Sequence, residues 1–259
     1  MNILAFDTCF AACSAAAAKS FDPGTTGPEG LHGLFEPMET GHAERLVAMI
    51  GDVMGAAGLG FAQLDRIAVT HGPGSFTGTR ISIAAARALA LSFSADIVAV
   101  SSLAVMAEGM TRILGSPRYG APHSGIGPTA SPGIDPGIGE APVLIAVDAR
   151  RGEVYVQLFQ TGGANPLTQP LLLPVREAAT LGGVGPLIVA GSGAVAVVDA
   201  AVASGRRVSA LLPGLLPDAR DLCRLAATMQ PGNRAIKPLY LRPADAKPQT
   251  GKSIERAIT

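Results

Sequence analysis

Residues able to do chemistry are few in this chain, and they sit in short segments. Asp7 ends the apolar run Ile3–Phe6, and Asp148 ends the corresponding run Val143–Val147. An acid at the end of a buried strand, followed by a glycine-rich hairpin turn, can hold a metal–nucleotide complex, because glycine lets backbone N–H groups approach phosphate. The first turn here is Thr8-Cys9-Phe10-Ala11-Ala12, with no glycine, and the second is Ala149-Arg150-Arg151-Gly152, with one glycine and two bulky arginines. Asp7, Thr8 and Asp148 therefore read either as a vestigial nucleotide site or as plain strand-end capping. Gly191-Ser192-Gly193, after Leu187–Ala190, is either a vestigial nucleoside turn or a simple strand-to-helix turn.

The segment Gly72-Pro73-Gly74-Ser75-Phe76-Thr77-Gly78-Thr79-Arg80 carries the most information. Strand, glycine turn and helix in that order form a potential anion site, since free N–H groups and the helix dipole converge on the turn. The segment lacks the spacing and the lysine of a P-loop, and Ser75 lacks the flanking glycines of a nucleophile elbow. The competing reading is a turn that needs glycine for backbone reasons. The four histidines, His32, His42, His71 and His123, form no pair on one helix face, so no metal site and no catalytic residue are expected. Cys9, Cys13 and Cys223 are odd in number and lack ligand spacing, which points to reduced thiols used as small core residues.

Composition narrows the class. Apolar residues make up 48% and charged residues 15% of 259 residues, enough to bury a sizeable core. Twenty basic residues balance twenty acidic ones, which argues against an independent nucleic-acid binder. No apolar run reaches the ~20 residues of a membrane span, and Met1-Asn2 leads directly into a strand, so a cytoplasmic location is expected. The basic residues from Arg234 to Arg256 read as a solvated tail or as phosphate contacts made within a complex.

The elements follow from periodicity. Strands are predicted over Ile3–Phe6, Cys13–Ala18, Leu34–Glu39, Asp65–His71 and Ile97–Val100, with a loop over 21–33. Helices are predicted from His42 to Ala57, with Thr40 as N-cap, from Thr77 to Phe93, apolar nearly all round, and from Leu103 to about Leu114. A Gly/Pro-rich connection covers 115–142. The order then repeats, with strands at Val143–Val147, Glu153–Phe159, Leu171–Leu173, Leu187–Ala190 and Val208–Leu211. Helices over Val175–Leu181, Ala194–Ala203 and Pro217–Met229 complete it. Two tandem units of this kind predict an α/β chain with the duplicated actin-like (ASKHA, Hsp70/sugar-kinase) fold. Its N-terminal lobe would span 1–114, and its C-terminal lobe, with the basic tail, 143–259.

Several segments together resemble the TsaB (YeaZ) family. They are Ile3–Thr8 with Ala12-Cys13-Ser14, His42–Leu46, Gly72–Gly78 with Arg80-Ile81, Asp148-Ala149-Arg150 with Glu153-Val154-Tyr155, and Pro238–Pro243 with Ala246-Lys247. The match follows chain order across nearly the whole sequence. Thr79 departs from the leucine usual there, and the stretches 21–33 and 115–142 are longer than the family leads one to expect. The resemblance implies a non-catalytic subunit, without cofactor, of the complex that forms N6-threonylcarbamoyladenosine at tRNA position 37. Its implied partners are a TsaD-like catalytic subunit and a TsaE-like ATPase, with tRNA reached only through the complex and a homodimer when the chain is alone. The implied docking surface lies on the helices at 42–57 and 77–93, at His42, Arg45, Leu46, Met49, Val53, Arg80, Ile81 and Ala84. An active actin-like phosphotransferase or glycoprotease-type peptidase is the alternative.

Overall fold

β1 (Ile3–Asp7) and β2 (Ala12–Ala18) are buried along their whole length, which requires cover on both faces of their sheet. The computed structural model describes residues 1–22, 30–113, 141–161, 165–231 and 235–242. The expected connection at 115–142 lies almost wholly outside the described residues, as does the tail beyond Arg242. Two five-stranded mixed sheets form. The first runs β3-β2-β1-β4-β5, with β3 (Leu31–Pro37), β4 (Arg66–Thr70) and β5 (Asp96–Val100). The second runs β10-β9-β6-β7-β8, with β6 (Val143–Asp148), β7 (Glu153–Phe159), β8 (Leu171–Pro174), β9 (Leu187–Ala190) and β10 (Val208–Leu211). Read from the other edge, the second order repeats the first. The duplicated actin-like architecture is therefore present.

Helices interleave with the sheets. α1 (His42–Ala56) and α2 (Phe76–Phe93) cover one face of the first sheet, with Leu46, Met49, Ile50 and Val53 buried against Leu4, Phe6 and Ile67. α4 (Val175–Ala178) and α5 (Ala194–Ala203) cover the outer face of the second. α3 (Ser102–Ile113) and α6 (Ala219–Thr228) fill the space between. Leu103, Met106 and Met110 of α3 pack on Val143 and Ile145, while Leu222, Cys223 and Ala226 of α6 pack on Ile3, Ala5 and Ala16. The division near 114 and 143 thus separates the strands but not their helical cover. α6, encoded in the second half, belongs to the first sheet.

Three polar contacts hold α6 there. Buried Ser14 of β2 accepts the Ala219 N–H at its start (3.0 Å). The Arg66 guanidinium of β4 donates to Ala226 O and Met229 O at its end, where helix carbonyls lack partners. Between them Arg112 of α3 grips Asp221 with two bonds of 2.7 and 3.0 Å. Alanines in β2 let both helical layers approach closely.

Several boundaries differ from those read in the sequence. β3 begins at Leu31, inside the expected loop, because Ala16–Ala18 of β2 require partners. α1 is entered through Gly41 at φ +84° with no side-chain cap, so Thr40 is not its N-cap. α4 stops at Ala178 because Gly182 and Gly183 turn the chain and Arg206 takes the carbonyls of Ala179 and Leu181. α2 is not buried on several sides; Phe76, Arg80, Ala84, Ala88 and Leu91 face outward. Its apolar count comes from alanine, which needs no burial. Among the described residues, no helix is long and apolar enough to cross a membrane.

The Arg112–Asp221 pair should be a stability determinant, since Asp221 is 1% exposed. Arg112→Met should cost about 3 kcal/mol in urea unfolding by leaving that carboxylate short of its main partner. Adding Asp221→Leu to it should recover part of the loss. Equal stability of wild type and single variant would refute this.

Candidate functional site

The strand-end site of the first lobe is filled by the chain itself. The loop 72–75 and the first turn of α2 rest directly on the β1–β2 turn. Ser75 N–H donates to Cys9 O (2.7 Å), and Thr8 Oγ1 donates to Gly78 O (2.6 Å). A Cβ at Gly74 would overlap Cys9 O, and one at Gly78 would overlap Thr8 O. Both glycines are thus required for backbone-to-backbone contact. The start of α2 is satisfied internally, since Ser75 Oγ accepts the Gly78 N–H at 2.9 Å. Of the two readings of this segment, the tight-packing one describes the geometry.

Beneath this contact lies Asp7, fully buried. Its Oδ1 accepts from the Thr70 hydroxyl and from Cys9 N–H (3.3 Å), and its Oδ2 has no partner among the described residues. Burial pushes its pKa up to about 6, against the hydrogen bonds from Thr70 and Cys9. Cys9 Sγ donates to Thr70 Oγ1 (3.3 Å), and burial raises the thiols of Cys9 and Cys223 far above their usual range and that of Cys13 to about 12. None is poised as a thiolate nucleophile at neutral pH.

The second lobe differs. Asp148 ends β6 at the equivalent place but is exposed, and its Oδ1 accepts the Arg150 N–H at 2.7 Å. Arg150 and Arg151 lie in the left-handed region, at φ 65° and 60°. Gly191 and Gly193 press on β6: Gly193 N–H donates to Ala146 O (2.9 Å), and a Cβ at Gly193 would stand 2.8 Å from Val154 Cγ1. Their glycine character serves close packing. Among the described residues no group of three His, Cys, Asp or Glu side chains is placed to hold a metal ion. Asp7 and Asp148 thus stand at corresponding strand ends, the first buried and the second exposed.

The outer surface of α1 and α2 is the other expected site. Leu46, Met49 and Val53 are at most 1% exposed and belong to the core of the first sheet, so they offer nothing to a partner; this corrects their assignment to a docking surface. The helical spacing that marked them as apolar marks the inward face. His42 Nε2 lies 3.0 Å from Phe10 O, and Arg45 pairs with Glu36 and Asp52. Ile81 is half-buried, while Ala84 and Arg80 are exposed. The outward face instead carries Val47 (72% exposed), Leu91 (79%) and the small residues Gly51, Gly55, Ala84 and Ala88. At the start of α2, Phe76 stacks on Tyr240 and the Arg80 guanidinium lies 3.7 Å from the Phe76 ring centre. Arg80 Nε also donates to the Tyr240 hydroxyl (2.8 Å). Sequence reading noted that Val47 points away from Leu46 but missed Leu91, Phe76 and Tyr240. For Val47 and Leu91, being out of phase with the buried face was an available signal; Tyr240 comes to Phe76 only through the tertiary fold.

Comparisons with known proteins point one way. The family model for TsaD, tRNA N6-adenosine threonylcarbamoyltransferase, matches residues 36–126. The tRNA threonylcarbamoyladenosine biosynthesis protein TsaB of Escherichia coli (strain K12) is 34% identical over 160 residues, 62% of this chain and 55% of that protein. The protein of the same name from Haemophilus influenzae is 33% identical over 108 residues, 42% of each chain. The chain thus spans about half the length of the curated relatives it matches. A crystal structure of a Pseudomonas aeruginosa protein described as similar to peptidase YeaZ superposes with TM-score 0.72 at 28% identity, covering 93% of this chain and 99% of that one. YeaZ from Pseudomonas aeruginosa gives 0.67 at 29% identity, covering 87% and 90%.

The packed turn makes two expectations measurable. Gly78→Ala forces a methyl into the Thr8 carbonyl and should cost at least about 3 kcal/mol in chemical denaturation. Asp7 keeps its proton to about pH 6 when folded and to about pH 4 when unfolded, so the native state binds more protons in between. Its contribution is full below pH ~4 and is lost as pH rises through ~6. Wild-type stability relative to Asp7→Asn should therefore fall by roughly 2 kcal/mol from pH 4 to 7. Parallel pH profiles would refute the assignment.

Proposed function

From its resemblance to TsaB (YeaZ) proteins, which the comparisons bear out, we propose that this chain is a non-catalytic docking subunit in the formation of N6-threonylcarbamoyladenosine at tRNA position 37. The observation that carries this reading is the way the glycine loop closes the first-lobe turn. Where a phosphate would need free N–H groups, Cys9 O and Thr8 O meet Ser75, Gly74 and Gly78 of the same chain. A subunit with that site filled contributes surface rather than a reaction centre. A TsaD-like catalytic subunit and a TsaE-like ATPase are the partners, and tRNA is reached through their complex.

The docking surface in this reading is the outward face of α1 and α2. Gly51, Gly55, Ala84 and Ala88 permit another pair of helices to come close, and Val47 and Leu91 supply apolar area left exposed in the isolated chain. The aromatic and arginine group at Phe76, Arg80 and Tyr240 has the composition of an interface anchor and stands on the same helix face. A second copy of the chain uses this face when the catalytic partner is missing.

Val47→Asp combined with Ala88→Glu should leave the fold intact, with melting within about 3 °C of wild type, since both positions are surface sites. Co-purification with a TsaD-like subunit should drop at least about a hundredfold, because charges would be buried without partners. Met49→Asp should unfold the chain instead. Normal association of the double variant would place the interface elsewhere, and ATP turnover or peptide cleavage lost with Asp7→Ala would favour an enzyme.

A further inference from the structure

Arg80 is an exposed arginine that its own chain holds in place. Its guanidinium carbon lies 3.7 Å from the centre of the Phe76 ring, and its Nε–H donates to the Tyr240 hydroxyl at 2.8 Å. Phe76 is fixed in turn by stacking on Tyr240, with ring centres 5.4 Å apart. Tyr240 stands on a secured segment. Ile236 is buried in the core of the first sheet, Arg87 donates to its carbonyl, and Leu239 N–H donates to His71 O at 2.7 Å. A side chain ordered in advance loses little freedom when a partner takes it. Engaged through Nε, Arg80 keeps both terminal nitrogens without a partner among the described residues. Those nitrogens form a planar fork that matches a carboxylate.

The surroundings give that fork no acid of their own. α2 and the segment 235–242 carry Arg80, Arg87, Lys237 and Arg242 and no aspartate or glutamate. Glu153 neutralises Arg242, and Arg87 donates to a neutral carbonyl. This helix face is therefore apolar but net positive, and a cation covered on it needs a counter-charge from outside. Arg80 also stands within the docking stripe. Phe76, Arg80, Ala84, Ala88 and Leu91 follow at intervals of three or four residues and share one face of α2. A surface that covers Ala84 and Ala88 closes over Arg80 as well.

We propose that Arg80 selects the partner at this face, through a fork-to-carboxylate pair with an aspartate or glutamate of the TsaD-like subunit. Phe76 and Tyr240 are positioning residues for it. The inference rests on the docking reading above and adds the chemistry of the partner's surface: a carboxylate beside the residues that meet Ala84. The pair loses water as the helices close. A partner lacking the acid would cover the arginine without compensation, which is how the pair discriminates.

The test measures association of the full chain with the TsaD-like subunit by calorimetry, at about 50 and 300 mM salt. Arg80→Gln should melt as the wild type does, bind at least about thirtyfold more weakly at low salt, and lose less affinity as salt rises. Arg80→Lys keeps the charge without the fork and should bind about tenfold more weakly. Tyr240→Phe keeps the ring but frees Nε. It should weaken binding about threefold, and not at all when Arg80→Gln is already present. In the Arg80→Lys complex a carbodiimide should join position 80 to one acid of the TsaD-like subunit. Replacing that acid by its amide should weaken wild-type binding as Arg80→Gln does, and the two changes together should cost little more than either alone. Wild-type affinity of Arg80→Gln, with association lost in the Val47→Asp, Ala88→Glu variant, would overturn this inference and leave the docking face standing. Normal association of both would remove the docking reading and this inference with it. A cross-link to Glu44 or Asp52 of a second copy would name a different occupant. Normal association with poorer tRNA retention by the Arg80→Gln complex would name nucleic acid, and either result overturns the proposal.

Discussion

The seating of two glycines against the β1–β2 turn constrains much of the first lobe. Gly74 and Gly78 bring the start of α2 into contact with the carbonyls of Cys9 and Thr8, a distance no side chain at those positions allows. Asp7 is sealed from water beneath them and holds a proton far above the usual carboxylate range. Gly72, on the other side of the loop, meets Leu239 O, and Leu239 N–H donates to His71 O at 2.7 Å. The segment 235–242 is thereby laid along α2, which brings Tyr240 onto Phe76 and Arg242 onto Glu153 of the second lobe.

The filled turn and the exposed helix face are two consequences of one arrangement. A loop that cradled phosphate would have to stand off the β1–β2 turn and leave its N–H groups open. This loop does the reverse, and the contact sets the rotation of α2 about its axis. Ile83, Ala86 and Ala90 then face the sheet, and Ala84, Ala88 and Leu91 face solvent. Closing the site and presenting the helix are therefore linked, which is the physical ground for reading the chain as a docking subunit.

The lobes are also locked together through the layer between the sheets. α3 follows the first sheet in sequence yet packs on the second, and α6 follows the second yet packs on the first. Ser14 and Arg112 hold α6 in its first turn and Arg66 holds its end. The same arrangement sets Arg220 and Arg224 beside the open edge of β3.

How much of this was legible in the sequence can be told from particular residues. The ten strands and six helices were readable, because burial on one face or two imposes period 3.6 or period 2 on side chains whatever their partners. The repeat of strand, acid and turn at Asp7 and Asp148 exposed the duplication. The missing glycines in the first turn already spoke against a phosphate cradle. Composition could not say which way the faces point. Met49 and Val53 satisfy the same periodicity whether they meet a sheet or a partner, and only the sheet beneath α1 decided it. Nor could the local sequence show that Gly78 touches Thr8, that α6 crosses to the first sheet, or that Tyr240 reaches Phe76. Those contacts join residues far apart along the chain. The sequence by itself determined the elements and their inner faces, because these depend on local geometry and burial; the tertiary structure alone decided the closed turn, the exposed face of α2 and the arginines at the edge of β3, because these depend on which distant surfaces meet.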